Sequence, residues 1–303
     1  MFKGLCLSGG GITGFVHLGV LQYLEDVHLV HQIDTIVCTS IGAVVGTLFA
    51  VGLKPSIVNE YLLRINHDIL QYNKVHEFFT AFGMDSGEYF IAKLIDILIE
   101  NKIPPRITFG DVYTLFQKDL VITGTNISKH CTTYFNRHDY ADMRVVDAIR
   151  ISISIPFLFS AVMFNNDIYV DGGITDNYPI SHCLNIIADK NTYMTDATNY
   201  VIGCYIESMN PKEIRNIEDY IYGIFACCLK RAQDKTVKPC TIDISIPDVS
   251  SVEFDADEVK RRKMFEIGYE RAKEYIETWK KKMQSMGNPD HKAVNGRKRS
   301  LSI

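Results

Sequence analysis

The chain has 303 residues, 47% of them hydrophobic and 22% charged, with a formal net charge of −4. That is globular composition, with enough apolar residues for a sizeable core, so a disordered or fibrous chain is excluded. The acidic balance also argues against a dedicated nucleic-acid binder, which carries a basic face.

The elements follow in chain order. Gly4–Leu7 reads as a buried strand, with a glycine-rich turn at Gly9–Gly14 and an amphipathic helix over Phe15–Val27 behind it. Thr35–Cys38 reads as a second buried strand, followed by a helix from Ile41 to Val51. This strand–turn–helix repetition predicts an α/β fold, with a mostly parallel sheet and helices on both faces. Residues 55–117 are expected to be mainly helical and rich in aromatics, among them Phe78, Phe79, Phe82, Tyr89 and Phe90. Within them Asp85 or Ser86 is placed to cap a helix running to Glu100, which Pro104–Pro105 ends. Strand-like runs return at Leu120–Thr125, Thr132–Asn136, Ile168–Val170, Tyr200–Tyr205 and Thr241–Ile246. Asp255–Lys282 reads as one long amphipathic helix, with Val259, Met264, Ile267, Ala272 and Ile276 on its apolar face. From 283 to 303 the chain turns basic and polar, and a disordered tail is expected there.

The opening Met1–Ser8 lacks the charged and apolar regions of a secretory leader. The longest apolar stretch, Ile41–Leu53, falls short of the about 20 residues that span a bilayer. The eight cysteines form no C-x-x-C pair, so buried free thiols in a reducing compartment are expected, and no metal site. Together these give the expectation of a cytoplasmic protein, able to touch a membrane surface from one side.

Three short motifs carry the chemistry. The turn Ser8-Gly9-Gly10-Gly11-Ile12-Thr13-Gly14 fits three readings. It is a plain tight turn, a dinucleotide fingerprint, or an oxyanion hole made of backbone N–H groups at a helix N-terminus. The dinucleotide reading wants an acidic residue at the end of the next strand, where this chain has Thr39-Ser40. Ser40 stands between a buried strand and a helix opening with Ile41-Gly42-Ala43, as in a nucleophile elbow, although a simple helix N-cap fits as well. Asp171-Gly172-Gly173 follows the strand Ile168–Val170, either as a turn or as a carboxylate at the ligand-binding edge of a sheet.

In this order the three motifs resemble the active-site blocks of the patatin-like phospholipase family. The resemblance extends to Asp147–Phe159, to Asp171–Ile180, to the strand pair in Ile122–Phe135 and to the closing helix, and so covers most of residues 4–282. It implies a three-layer patatin-like domain over 1–282, with 55–117 as a helical cap. It implies a phospholipase A or lysophospholipase type of hydrolase, acting on carboxylic esters of lipids through a Ser–Asp dyad and an acyl-enzyme, with no cofactor. Ser40 would be the nucleophile and Asp171 its base. Gly9, Gly10 and Gly11 would form the oxyanion loop, and Gly42, Gly172 and Gly173 would support the close packing. Phospholipid or another lipid ester would be the substrate, and an anionic membrane surface a peripheral contact. Two departures stand out: Cys38 replaces the elbow's first glycine, and Thr13 stands where the family's loop has Arg or Lys. They keep open an alternative, a weak or inactive lipid-binding member of the family. His17 and His182 are the histidines expected near the site, in structural roles.

Overall fold

The structure is a computed structural model that describes residues 2–65, 80, 82–190, 196–207, 213–215, 220, 223–224, 227, 239–246 and 256–286. Phe78, Phe79 and the tail from 287 onward lie outside the described residues. In chain order the elements are β1 (Gly4–Leu7), a 3-10 turn (Gly11–Gly14), α1 (Phe15–Asp26), β2 (Thr35–Cys38), α2 (Ile41–Ala50) and α3 (Pro55–Arg64). There follow β3 (Gly83–Asp85), α4 (Glu88–Glu100), α5 (Phe109–Phe116), β4 (Asp119–Asn126), β5 (Cys131–Phe135) and α6 (Val145–Ser152). The chain closes with β6 (Phe157–Phe159), β7 (Val162–Phe164), β8 (Asp167–Asp171), α7 (Gly173–Asp176), α8 (Ile180–Lys190), β9 (Val201–Glu207), β10 (Thr241–Ser245) and α9 (Glu258–Met286).

The main sheet runs β10-β9-β1-β2-β4-β8-β7, with β5 on the other edge of β4. From β10 to β4 all pairings are parallel, whereas β5, β7 and β8 join antiparallel. Strand periodicity divides the core in two. Leu5, Leu7, Ile36, Cys38, Leu120, Ile122, Ile202 and Cys204 face the large cluster shared with α1, α2, α6 and α9. The intervening Cys6, Val37 and Val121, together with Val201, face a smaller cluster under α8, where Ile180, Cys183 and Ile187 cover them. Helices therefore lie on both faces of a mostly parallel sheet. This is the expected α/β architecture.

Helices α1 and α9 meet backbone to backbone. A Cβ on Gly19 would lie 1.9 Å from the Phe265 carbonyl oxygen, and one on Gly268 would lie 2.1 Å from that of Val16. The closing helix buries Met264, Ala272 and Ile276 as its pattern requires, but Val259 is 76% exposed, because Arg261 takes the buried face of that first turn. It also runs past residue 282 to Met286, into the segment expected as tail. Gly87, in a left-handed conformation, is the N-cap of α4. Asp85 and Ser86 act one step earlier, accepting from the N–H groups of Gly87 and Glu88. The three-residue strands β3, β6 and β7 were beyond the reach of sequence periodicity. No described helix is long and apolar enough to cross a membrane.

Candidate active site

Strand order brings two distant segments together on β4. Ile122 of β4 pairs with Cys38 of β2, and Gly124, two residues on, pairs with Asp171 of β8 along the same edge. Strands β2 and β8 thus run toward each other end to end. Ser40 lies two residues beyond the end of β2. Its hydroxyl donates to Asp171 Oδ2 at 2.7 Å.

Ser40 holds φ 53° and ψ −125°, outside the ordinary regions for a residue with a Cβ. It occupies the N-cap position of α2 but makes no side-chain capping bond, which sets aside the simple N-cap reading. Its own N–H donates to Ser152 Oγ at 2.8 Å. Gly42 makes the tight turn at Ser40 possible, since a Cβ there would lie 2.5 Å from the Ser8 carbonyl oxygen and 2.7 Å from that of Leu7.

Asp171 is 1% exposed. Its N–H donates to the Ser154 carbonyl at 2.8 Å. Oδ1 accepts from the Gly173 N–H at 2.7 Å, and the Asp171 carbonyl accepts from Thr125 Oγ1 at 2.8 Å. Burial raises the carboxyl from 3.8 to about 7, against the opposing pull of the Ser40 hydroxyl and the Gly173 N–H. The group is therefore a base near neutrality, where general-base catalysis is most effective. Gly172 permits the approach of this turn to β4: a Cβ there would meet Thr123 Oγ1 at 2.3 Å and its carbonyl oxygen at 2.6 Å.

The glycine loop faces the same place. Gly11 has φ 55°, and Gly10 receives the Thr13 hydroxyl on its carbonyl at 2.6 Å. The Gly9 N–H is already spent on the Asn177 carbonyl at 3.0 Å, so of the three expected oxyanion donors Gly9 is not free. An apolar cavity opens beside Ser40, walled by Gly11, Ile12 and Phe15, by Leu62 and Ile65, by Phe90, and by Ile153, Ile155 and Phe159. Arg261 of α9 is the charged residue in this wall, 3% exposed, with its guanidinium donating to the Ala256 and Ile65 carbonyls.

The sequence profile of the patatin-like phospholipase family matches residues 5–184, which include Ser40, Asp171 and the glycine loop. The chain belongs to the patatin-like phospholipase family. It is 27% identical over 292 residues to the uncharacterised protein R571 of Acanthamoeba polyphaga mimivirus, covering 90% of this chain and 93% of that protein. It is 28% identical over 201 residues to the probable lipid hydrolase 463L of Invertebrate iridescent virus 6, covering 64% of this chain and 68% of that protein. The fold is similar to that of VipD from Legionella pneumophila, at a TM-score of 0.57 and 16% identity, covering 91% of this chain and 67% of that one.

The two departures from the patatin-like pattern are accommodated locally. The Cys38 Sγ donates to the Val121 carbonyl at 3.3 Å, while Ser40 keeps its positive φ. Thr13 is fully buried and spends its hydroxyl inside the loop. His17 and His182 make their contacts away from the Ser40–Asp171 pair. His17 is buried and donates from Nε2 to the Ser8 carbonyl at 2.8 Å, and burial lowers it to about 4. His182 stacks on Tyr134 at 3.8 Å, and the Tyr134 hydroxyl donates to Asp176. Sequence reasoning missed Ser152, whose hydroxyl holds the Ser40 backbone, and the Ser154 carbonyl, which holds that of Asp171. The signal for Ser152 was a polar residue within the apolar run around Ile151–Ile155, whereas a backbone carbonyl leaves none.

Proposed function

We propose that the chain hydrolyses carboxylic esters of lipids, of the phospholipase A or lysophospholipase type, through a Ser40–Asp171 dyad. The 2.7 Å hydrogen bond from Ser40 Oγ to a buried carboxylate, in the wall of an apolar cavity, carries this reading. Asp171 takes the hydroxyl proton as Ser40 Oγ attacks the ester carbonyl carbon. The oxyanion is held by the N–H groups assigned to Gly10 and Gly11, and such a donor is commonly worth roughly 3 kcal/mol. Collapse breaks the carbonyl–oxygen bond, and the departing alcohol receives the proton from Asp171. Water then attacks the acyl-enzyme with Asp171 again as base, releasing the fatty acid and restoring Ser40.

The segment 55–117 serves as a cap in this reading, because Leu62, Ile65 and Phe90 from it wall the cavity. Phe82, expected in that wall, stands 58% exposed. The reading is tested with an active-site fluorophosphonate and a panel of phospholipids, lysophospholipids and neutral lipids. Covalent labelling at Ser40, lost in Ser40→Ala, is the expected result. A folded chain that takes no label and releases no fatty acid would overturn it in favour of a lipid-binding protein without turnover.

A further inference from the structure

We infer that Phe82 and Phe157 form an apolar lip that seats the mouth of the active site on the surface of a zwitterionic lipid layer. The inference rests on the lipid-hydrolase reading and adds to it the surface by which the enzyme reaches its substrate.

The sequence marks both segments. Residues 151–166 carry no charge, and neither do residues 80–84. Strands β3 and β6 pair parallel, with Gly83 opposite Phe157, so Phe82 is brought beside the Pro156–Phe157 step. The two strands are pressed together at Gly83, where a Cβ would lie 2.2 Å from the Phe159 carbonyl carbon and 2.3 Å from the Ser160 nitrogen. Phe82 is 58% exposed and Phe157 is 44% exposed. Both hold positive φ, at 60° and 68°, a conformation that bulky residues rarely adopt. Two aromatic rings on neighbouring strands are thus kept in water on strained backbone.

Their position supplies the reason. Ile155 and Phe159, on either side of Phe157 in the chain, both wall the cavity beside Ser40. Phe157 stands exposed between two residues of the cavity wall, so Phe157 and Phe159 form an apolar row from solvent toward the cavity. An acyl chain entering along that row would leave a lipid layer without crossing water. The nearest acidic side chain in the β3 segment, Asp85, is 1% exposed. The lip therefore presents no charge of its own and suits a zwitterionic surface, where aromatic side chains settle at the boundary between head groups and acyl chains.

The chain's single tryptophan makes a direct test practicable. The Trp279 ring packs tilted against Phe2 at 4.9 Å, so Trp279→Phe preserves an aromatic contact there. In that background, with Ser40→Ala to prevent lipid consumption, Phe157→Trp reports the lip on phosphatidylcholine vesicles. The expected result is a blue-shifted emission that brominated acyl chains quench. In the active chain, Phe82→Ser with Phe157→Ser should bind the vesicles about tenfold more weakly or worse. The same double variant should hydrolyse a short soluble ester within about twofold of the unmodified rate. An emission that vesicles leave unmoved would overturn the proposal, including the case where binding occurs only with anionic lipid. So would a blue shift that needs no vesicles and grows with protein concentration, which would make the lip a self-association surface. Absence of soluble-ester turnover in the unmodified chain strikes the hydrolase reading, whereas an unmoved tryptophan strikes the lip alone.

Discussion

Replacing Asp171 by Asn separates the proposed catalytic role of the carboxylate from its structural cost. The folded carboxyl keeps its proton up to about pH 7, and its ordinary value is 3.8. Between these values the folded chain carries a proton that the unfolded chain has lost, so stability falls as pH rises, and the full cost is present above pH 7. At about 1.4 kcal/mol per tenfold in acidity, that cost is roughly 4 kcal/mol. Asn keeps the shape, can accept from the Gly173 N–H, and brings no charge. Asp171→Asn should therefore be about 2–4 kcal/mol more stable than the parent at pH 8, with the gain vanishing near pH 4. Turnover should fall by about 10²–10⁴, the usual worth of a general base. The parent's activity should rise with pH and level off above about 7, following the Asp171 ionisation. Urea unfolding at pH 4, 6 and 8, beside ester hydrolysis over the same range, measures both. A variant destabilised at pH 8, or stabilised equally at every pH, would refute the reasoning.

Other consequences follow from the same geometry. Gly42→Ala places a methyl group against two backbone carbonyls that no rotamer change can move, and should cost about 1–3 kcal/mol or more in denaturant unfolding and slow fluorophosphonate labelling of Ser40. His17→Ala loses one buried hydrogen bond, about 1–3 kcal/mol, but should leave the pH profile of turnover unmoved; a displaced profile would return a histidine to the mechanism. Native-state maleimide labelling should modify exposed Cys131 and Cys227 and spare buried Cys6, Cys38, Cys183 and Cys204, whose thiols burial pushes up; rapid modification of Cys38 on peptide mapping would contradict the packing at the elbow. Truncation after Gly287 should leave soluble-ester turnover unchanged and weaken binding to anionic vesicles, at roughly 1 kcal/mol for each of Lys292, Arg297, Lys298 and Arg299.

Much of this site was legible in the sequence because its parts are local. A buried four-residue strand, a turn and a helix rich in small residues nominate Ser40 from a short window, and β1 and β2 lie where their apolar runs predict. Gly42 and Gly172 were readable for the same reason, since only a residue without a Cβ fits a backbone approaching another so closely. The sequence could also nominate Asp171, from a carboxylate set between a strand and two glycines. It could not bring Asp171 to Ser40. That meeting depends on β8 joining β4 antiparallel, head-on to β2, and strand direction is decided by long-range pairing. The basicity of Asp171 likewise comes from burial under segments far along the chain. The exposure of Phe82 and Phe157 is of the same kind: two apolar residues read as core in any local window, and only the pairing of β3 with β6 turned them to the surface. Local propensity and spacing determined the pieces of the candidate site, while tertiary contacts alone set the Ser40–Asp171 distance, the burial of the carboxylate and the exposure of the two phenylalanines.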